Sequence, residues 1–324
     1  MRKVLVTGGS GFIGCNLVEY LLKNNYEVKN LDVMTPRNVN LTDYWVDCDI
    51  LDLQKLKLII KEYSPDYLVH LAARTDLRGA SLKDYLVNTE GTENVIVCLK
   101  EIKNLTKVLF ASSRLVCKIG HSPHSEDEYS ATTAYGKSKI VGEKIVREKC
   151  RNAEYDWIIF RPTSIWGPWF EEPYRDFFDA LSRGAYIHPW RQKISKSFGY
   201  VGNSVFLLER MLFADNSLGK RTIYLTDYEN LDVLDWANTI RSKQGLSRVK
   251  QVPFMLLMLV AKIGTVLEKF GLRRMPLTVF RLNNLVTNMH FDTTPLREFS
   301  KELPFTSDQG VERTLNWYRD QKES

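Results

Sequence analysis

Apolar positions in the first half of the chain follow two alternating rhythms. Short runs such as KVLVTG (3–8), YEVKNLDV (26–33), YWVDCDI (44–50), YLVHLAA (67–73), KVLFASS (107–113) and DWIIFRP (156–162) have the apolar density and β-branched content of buried strands. Between them, residues 12–23, 53–63, 86–102 and 134–150 read as amphipathic helices. Such alternation predicts a parallel sheet covered on both faces, and right-handed crossovers make it doubly wound. The expected fold class is α/β.

After Pro162 the rhythm is lost. SIWGPWFEEPYRDFF (164–178) is rich in Trp, Pro and other aromatics, and later segments mix short strands with helices. The pattern divides the chain into a sheet domain over 1–164 and a smaller α/β substrate-binding region over 165–324. IYLTDY (223–228) has the pattern of a further strand for the first sheet, so a strand from about 200–228 is expected to return there and the two regions interleave. VPFMLLMLVAKIGTVL (252–267) is the most apolar segment. Lys262 and Gly264 interrupt it, and it is shorter than the roughly 20 residues of a bilayer crossing. A buried or docking helix is expected rather than a membrane contact, and no stable membrane insertion.

Composition narrows the class. With 324 residues, 44% apolar and 26% charged, the chain has material for one large core or two. Its net charge of +6 is not gathered into the dense Lys/Arg runs of nucleic-acid arms, which suits a small anionic ligand and excludes nucleic acid as the expected partner. Five cysteines, Cys15, Cys48, Cys98, Cys117 and Cys150, contain no C-x-x-C pair, as expected of reduced thiols in a cytoplasmic protein. The apolar run after MRK breaks after four residues into a glycine turn with no cleavage-like site, so it reads as a first strand rather than a secretion signal. The five histidines form no metal-like set, and no metal site is expected.

TGGSGFIG (7–14) sets Gly8, Gly11 and Gly14 between a strand and a helix. A pyrophosphate needs bare backbone amides at a helix N-terminus, and side chains there hold it away. Asp32, at the end of the second strand, stands where a carboxylate accepts from the adenosine ribose hydroxyls and repels a 2′-phosphate. These residues predict a Rossmann-type NAD site, with NADP left open by Arg37, a cation within reach of a 2′-phosphate. Taken together, they resemble an extended short-chain dehydrogenase/reductase of the nucleotide-sugar epimerase/dehydratase type. The resemblance runs through nearly the whole chain and is strongest from residue 3 to about 205. It implies cofactor contacts at Gly8, Gly11, Phe12, Ile13 and Gly14, at Asp32, at Asp49 and Ile50 after the third strand, at Leu71, Ala72 and Ala73 of HLAA, and at Asn88.

TTAYGKSK (132–139) places Tyr135 and Lys139 one turn apart at the start of a helix, so their side chains share a face. A phenol titrates near pH 10, and an ammonium and a positive nicotinamide ring favour its phenolate. Such a tyrosine exchanges a proton with an alcohol while hydride leaves or joins the same carbon. The resemblance puts the catalytic pair here, lets Lys139 also bind the nicotinamide ribose, and matches Ser113 of FASSRLVCKIG (110–120) to the hydroxyl that bonds the reacting sugar oxygen. Ser112 reads as a packing or turn residue.

Two departures matter. Val116-Cys117-Lys118 replaces the Val-Tyr-Gly of many relatives, removing a sugar-contacting tyrosine and leaving Cys117 as packing or a pocket wall. Dehydratase relatives carry Asp-Glu directly after the serine or threonine, where this chain has Arg114-Leu115; a 4,6-dehydratase is disfavoured. RPTSIWGPW (161–169) and KSFGYVGN (196–203) resemble the family's sugar-pocket segments, which implies substrate contacts at Ser113, Arg114, Thr163 and Lys196, the last in place of a diphosphate-binding arginine. Trp166, Trp169, Tyr174 and Trp190 suit either ring stacking or packing, and Arg161 and Arg191 are further phosphate candidates.

The resulting expectation is an NAD(P)-dependent enzyme moving hydride at C4 of a nucleotide-diphosphate sugar, as a 4-epimerase or a 4-ketoreductase. A lipid or steroid-like alcohol dehydrogenase of the same superfamily is the alternative enzyme, and a dinucleotide-binding sensor the alternative outside catalysis. By resemblance, a homodimer through the helices at 86–102 and 134–150 is expected.

Overall fold

The computed structural model describes residues 1–171, 173–215, 218–270, 275 and 277–323. Strand β1 (Lys3–Thr7) leads through the glycine turn into α1 (Phe12–Lys23), followed by β2 (Glu27–Asp32), β3 (Trp45–Asp47), α2 (Leu53–Tyr63), β4 (Tyr67–His70), α3 (Leu86–Leu99), β5 (Lys107–Ala111), α4 (Ala134–Lys149) and β6 (Asp156–Pro162). Every element of the first half thus appears where the apolar rhythm puts it, with strand ends trimmed by a few residues. The C-terminal part holds β7 (Ser164–Trp166), α5 (Tyr174–Ser182), β8 (Ile187–Pro189), β9 (Ser195–Tyr200), α6 (Val201–Phe213), β10 (Arg221–Leu225), β11 (Asn230–Asp232) and α7 (Val233–Lys243). It closes with β12 (Lys250–Val252), α8 (Phe254–Lys269), α9 (Val279–Val286), α10 (Thr294–Arg297) and α11 (Ser307–Glu323).

Seven strands form one parallel sheet in the order β10-β6-β5-β4-β1-β2-β3. The order reverses between β1 and β4, which opens a crevice at the strands' C-terminal ends. Thr7, Asp32, His70 and Ala111 all end strands on that edge. Strand β10 joins the sheet beside β6 with Ile223 opposite Phe160, so residues 221–225 belong to the first sheet. Three short strands, β11-β9-β7, and a pair, β12-β8, make up the remaining sheet structure.

Two-residue alternation sorts the strand side chains into two cores. Val4, Val6, Val69, Leu109, Ile158 and Phe160 face α1 and α6 through Leu17 and Leu207. Leu5, Leu68, Val108, Phe110 and Ile159 face the opposite layer through Leu56, Ile60, Val95 and Val146. Among the former stacking candidates, Trp166 is core: it is fully buried with its ring centroid 5.2 Å from those of Tyr200 and Trp236. Trp169 packs at 5.6 Å from Trp317, Tyr174 at 6.1 Å from Phe198, and Trp190 is exposed under the Arg191 guanidinium. No helix among the described residues is long and apolar enough to cross a membrane.

Candidate active site

The glycine turn is held by close approach. Gly8 takes φ +73°, and a Cβ there would lie 2.4 Å from the Ala72 amide nitrogen; a Cβ on Gly14 would lie 2.2 Å from the Gly8 carbonyl. Gly11 caps α1 with no side-chain hydrogen bond, so the helix's first amides are left bare, with Phe12 and Ile13 on its first turn. Beside them Asp32 accepts the Ser10 amide at 3.0 Å and the Met34 amide at 3.0 Å. Burial pushes its carboxyl up, and these amides oppose the shift. This cradle of bare amides running to a half-buried carboxylate fits the pyrophosphate and ribose of NAD. Arg37 is engaged elsewhere: it donates to the Trp169 carbonyl at 3.0 Å and pairs with Glu171 at 2.9 Å.

The other residues expected around the cofactor line the same edge. Asp49 is exposed, and Ile50 buries its side chain against Gly91. The amide of Leu71 donates to the Thr7 carbonyl at 2.9 Å, which fixes the turn through Ala72 and Ala73. Asn88 spends its amide on protein partners, accepting the Arg74 N–H at 2.8 Å and donating to the Arg74 carbonyl and the Ser138 hydroxyl, both at 3.0 Å. Ser138 in turn donates to the Tyr135 carbonyl at 2.7 Å. A side-chain chain therefore ties the loop after β4 to the helix of the tyrosine.

Thr133 caps that helix, its hydroxyl accepting the Gly136 amide at 3.0 Å, and this start places Tyr135 on the first turn. Tyr135, Lys139 and Ser113 converge as buried groups at the end of β5. The Ser113 hydroxyl stands close enough to Tyr135 to act on its titration, and it accepts the Leu115 amide at 3.1 Å. Lys139 donates to the Ala111 carbonyl at 3.0 Å. Burial pushes the Tyr135 phenol up to about 12, against the opposing pull of Ser113. Burial brings the Lys139 ammonium down to about 8, and Glu143 resists that shift.

Glu143 is a site residue that the spacing argument missed. It sits one turn beyond Lys139 on α4 and accepts the Ser112 hydroxyl at 2.5 Å, Arg161 Nε at 2.8 Å, Arg161 Nη2 at 2.7 Å and the Tyr129 hydroxyl at 2.9 Å. Continuing the Tyr-x-x-x-Lys pattern by four residues would have found it. Ser112 is thus a hydrogen-bond donor to the network rather than mere packing. Arg161, a phosphate candidate by sequence, is a fully buried partner of Glu143. Cys117 is buried, its thiol directed to the Glu128 carbonyl at 3.4 Å. Buried His70 lies between Thr7 at 2.7 Å and Thr92 at 3.1 Å, and burial, with Lys139 nearby, lowers it to about 3, leaving it neutral.

Past Ser113 the surroundings turn cationic. Arg114 contacts the Met289 sulfur at 3.4 Å, and burial depresses its guanidinium despite the nearby Tyr174 and Tyr224 phenols. Lys196 on β9 is buried, donates to the Asn284 carbonyl, and is lowered to about 7 by burial and by Arg114. Among the described residues no carboxylate is among the groups acting on either cation. Thr163 directs its hydroxyl to the Leu225 carbonyl at 3.2 Å. Among the described residues no group of three His, Cys, Asp or Glu could hold a metal.

A sequence profile of the NAD dependent epimerase/dehydratase family matches residues 4–212. The chain is 26% identical over 323 residues to N-acetyl-alpha-D-glucosaminyl-diphospho-ditrans,octacis-undecaprenol 4-epimerase of Escherichia coli O157:H7, covering 97% of this chain and 94% of that one. It is 25% identical to 3-beta-hydroxysteroid dehydrogenase of Mycolicibacterium neoaurum, covering 99% and 92%. In three dimensions it is similar to UDP-glucuronic acid 4-epimerase from Bacillus cereus in complex with NAD, with a TM-score of 0.76, 19% identity and 99% of both chains covered.

Proposed function

From membership of the NAD dependent epimerase/dehydratase family, to which this chain belongs, we propose that it is a 4-epimerase of a sugar carried on a diphosphate. The chain is an enzyme and NAD is its cofactor. The observation that carries the substrate class is half-buried Arg114 and buried Lys196 beyond Ser113, neither of them ion-paired among the described residues. Two cations with no carboxylate partner among the described residues call for an anionic ligand, and a diphosphate supplies one. The E. coli relative is named for a sugar on diphospho-undecaprenol and the B. cereus one for UDP-glucuronic acid, so their shared chemistry is a sugar linked to diphosphate. A neutral steroid leaves both cations uncompensated, which sets the alcohol-dehydrogenase reading below this one.

The glycine turn of residues 8–14 and Asp32 would hold NAD, which would supply the hydride acceptor and donor for the sugar carbon. Tyr135 accepts the proton of the reacting hydroxyl as hydride leaves and gives it back on reduction. Ser113 donates to the same oxygen, and the Lys139 ammonium stabilises the phenolate. Arg114 and Lys196 hold the anionic end while the keto-sugar turns. Residues 1–164 together with β10 serve as the NAD-binding domain, and the remainder as the substrate-binding region. We also propose a cytoplasmic homodimer paired through α3 and α4, where Leu86 and Val97 are exposed.

The test is a panel of UDP-sugars followed by NMR with purified protein. Appearance of the 4-epimer without net NADH formation is expected. Consumption of added NADH by a 4-keto sugar would convert the assignment to a ketoreductase, and oxidation of 3β-hydroxysteroids with no turnover of any sugar would overturn it. Tyr135→Phe is expected to lower kcat about a thousandfold with NAD affinity unchanged; retained turnover would remove the proton-transfer role.

A further inference from the structure

The first two turns of helix α8, residues 254–261, carry no polar side chain, a pattern that belongs inside a protein core. Here only one side is covered. Leu257 and Ala261 pack on Leu282 of α9, while Met255 (78% exposed), Leu256, Leu259 (58%), Val260, Ile263 (53%) and Val266 form a stripe along the opposite side. Phe270 at the end of the helix (82%) and Phe280 on α9 (56%) are exposed as well. The sequence expectation of a buried or docking helix is met only on the α9 side.

Charge says what covers the rest. Residues 248–274 contain Arg248, Lys250, Lys262, Lys269, Arg273 and Arg274 against Glu268 alone, a net +5 within a chain of net +6. The positive excess lacks dense runs, yet nearly all of it lies in this segment. Arg248, Lys250 and Lys262 are exposed at described positions next to the apolar stripe. Glu268 lies 3.8 Å from Arg281, and among the described residues Arg248, Lys250 and Lys262 form no ion pair. A second copy of the chain would oppose one cationic face to another. An anionic bilayer surface offers both complements, acyl chains for Met, Leu, Val, Ile and Phe, and phosphate for the cations.

We propose that α8 lies in the plane of an anionic membrane surface and docks the enzyme there without crossing it. The docked element connects directly to the anion pocket. Thr265 of α8 accepts the Val279 amide at the start of α9 at 2.9 Å, Asn284 of α9 accepts from Lys196, and Met289 just beyond touches Arg114. The membrane-facing side and the two unpaired cations are therefore joined by residues 279–289.

The test is flotation of the full-length protein with vesicles of phosphatidylglycerol and phosphatidylcholine, against vesicles of phosphatidylcholine alone. Binding to the anionic vesicles about tenfold tighter, and weakening as salt rises, is expected. Leu259→Glu/Ile263→Glu should lose about tenfold or more in vesicle affinity. Lys250→Glu/Lys262→Glu should lose about fivefold or more. Each variant changes only exposed side chains, and unchanged NAD binding verifies its fold. Absence of wild-type protein from the anionic vesicles would overturn the proposal. So would undiminished binding of Leu259→Glu/Ile263→Glu, or a sedimenting dimer which that variant dissociates while wild type ignores lipid.

Discussion

Arg161, fully buried, and Arg114, half-buried, stand on either side of Ser112 and Ser113, and they live under opposite rules. Arg161 gives two hydrogen bonds to Glu143, at 2.8 and 2.7 Å, and a third to the Glu126 carbonyl at 2.7 Å. Burial works against its charge, but the Glu143 contacts outweigh burial and hold the guanidinium above its ordinary range. Arg114 has a methionine sulfur and tyrosines around it, and burial wins. A charge compensated inside the chain is part of the scaffold. A charge left uncompensated in a low-dielectric pocket costs stability until a ligand arrives, which is the ground for proposing an anion there.

That contrast is broken first at Glu143. Glu143→Gln leaves Arg161 buried with a neutral partner and should cost about 3–5 kcal/mol of stability, read as a lowered denaturation midpoint. Glu143→Gln/Arg161→Met should recover a large part of the loss. If the single substitution is neutral, Glu143 is not the structural counter-charge that its geometry indicates. Lys196→Met should act in the other direction on the protein without ligand, raising stability by about 2 kcal/mol, less than the full pKa depression implies because the chain relaxes around a buried charge. The same variant should bind UDP-sugars about tenfold more weakly. Isothermal calorimetry and thermal melts test both halves; unchanged affinity would detach Lys196 from the anionic ligand.

What the sequence exposes and what it hides follow from the range of the interactions. The glycine turn, Asp32, Tyr135 and Lys139 lie in short windows where spacing alone sets geometry, and the strands of the large sheet carry their burial in alternating side chains. The three-residue strands β7, β8, β11 and β12 are too short to show a period. Polar partners were harder still. Arg37 looked available to a 2′-phosphate because Trp169 and Glu171, which hold it, are more than a hundred residues away. Arg161 looked like a phosphate ligand because nothing local shows that α4 brings Glu143 against it. The exposed side of α8 was hidden for the converse reason: an apolar run reveals the tendency to be buried, not the partner that buries it.

The smallest expected effect is a pH dependence that separates the two cations by their environments. Lys196 titrates near 7 in the free protein, depressed by burial and by Arg114. An anion beside it favours the ammonium, so the bound form titrates higher and binding takes up a proton at pH values between the two. Below about pH 7 Lys196 is charged in both states and affinity is flat. Above it, affinity should fall by up to about tenfold per pH unit until the pKa of the complex is reached. Arg161, held charged by Glu143, adds no slope in this range. Lys139 titrates near 8 and adds its own step if it responds to the sugar, so the wild type is compared with Lys196→Met, which keeps Lys139. Calorimetry at pH 7.5–8.5 in two buffers of different ionisation enthalpy measures the proton uptake directly. An uptake present in wild type and absent in Lys196→Met assigns the step to Lys196, whereas equal uptake in both assigns it to Lys139 and leaves the unpaired lysine without a role in binding.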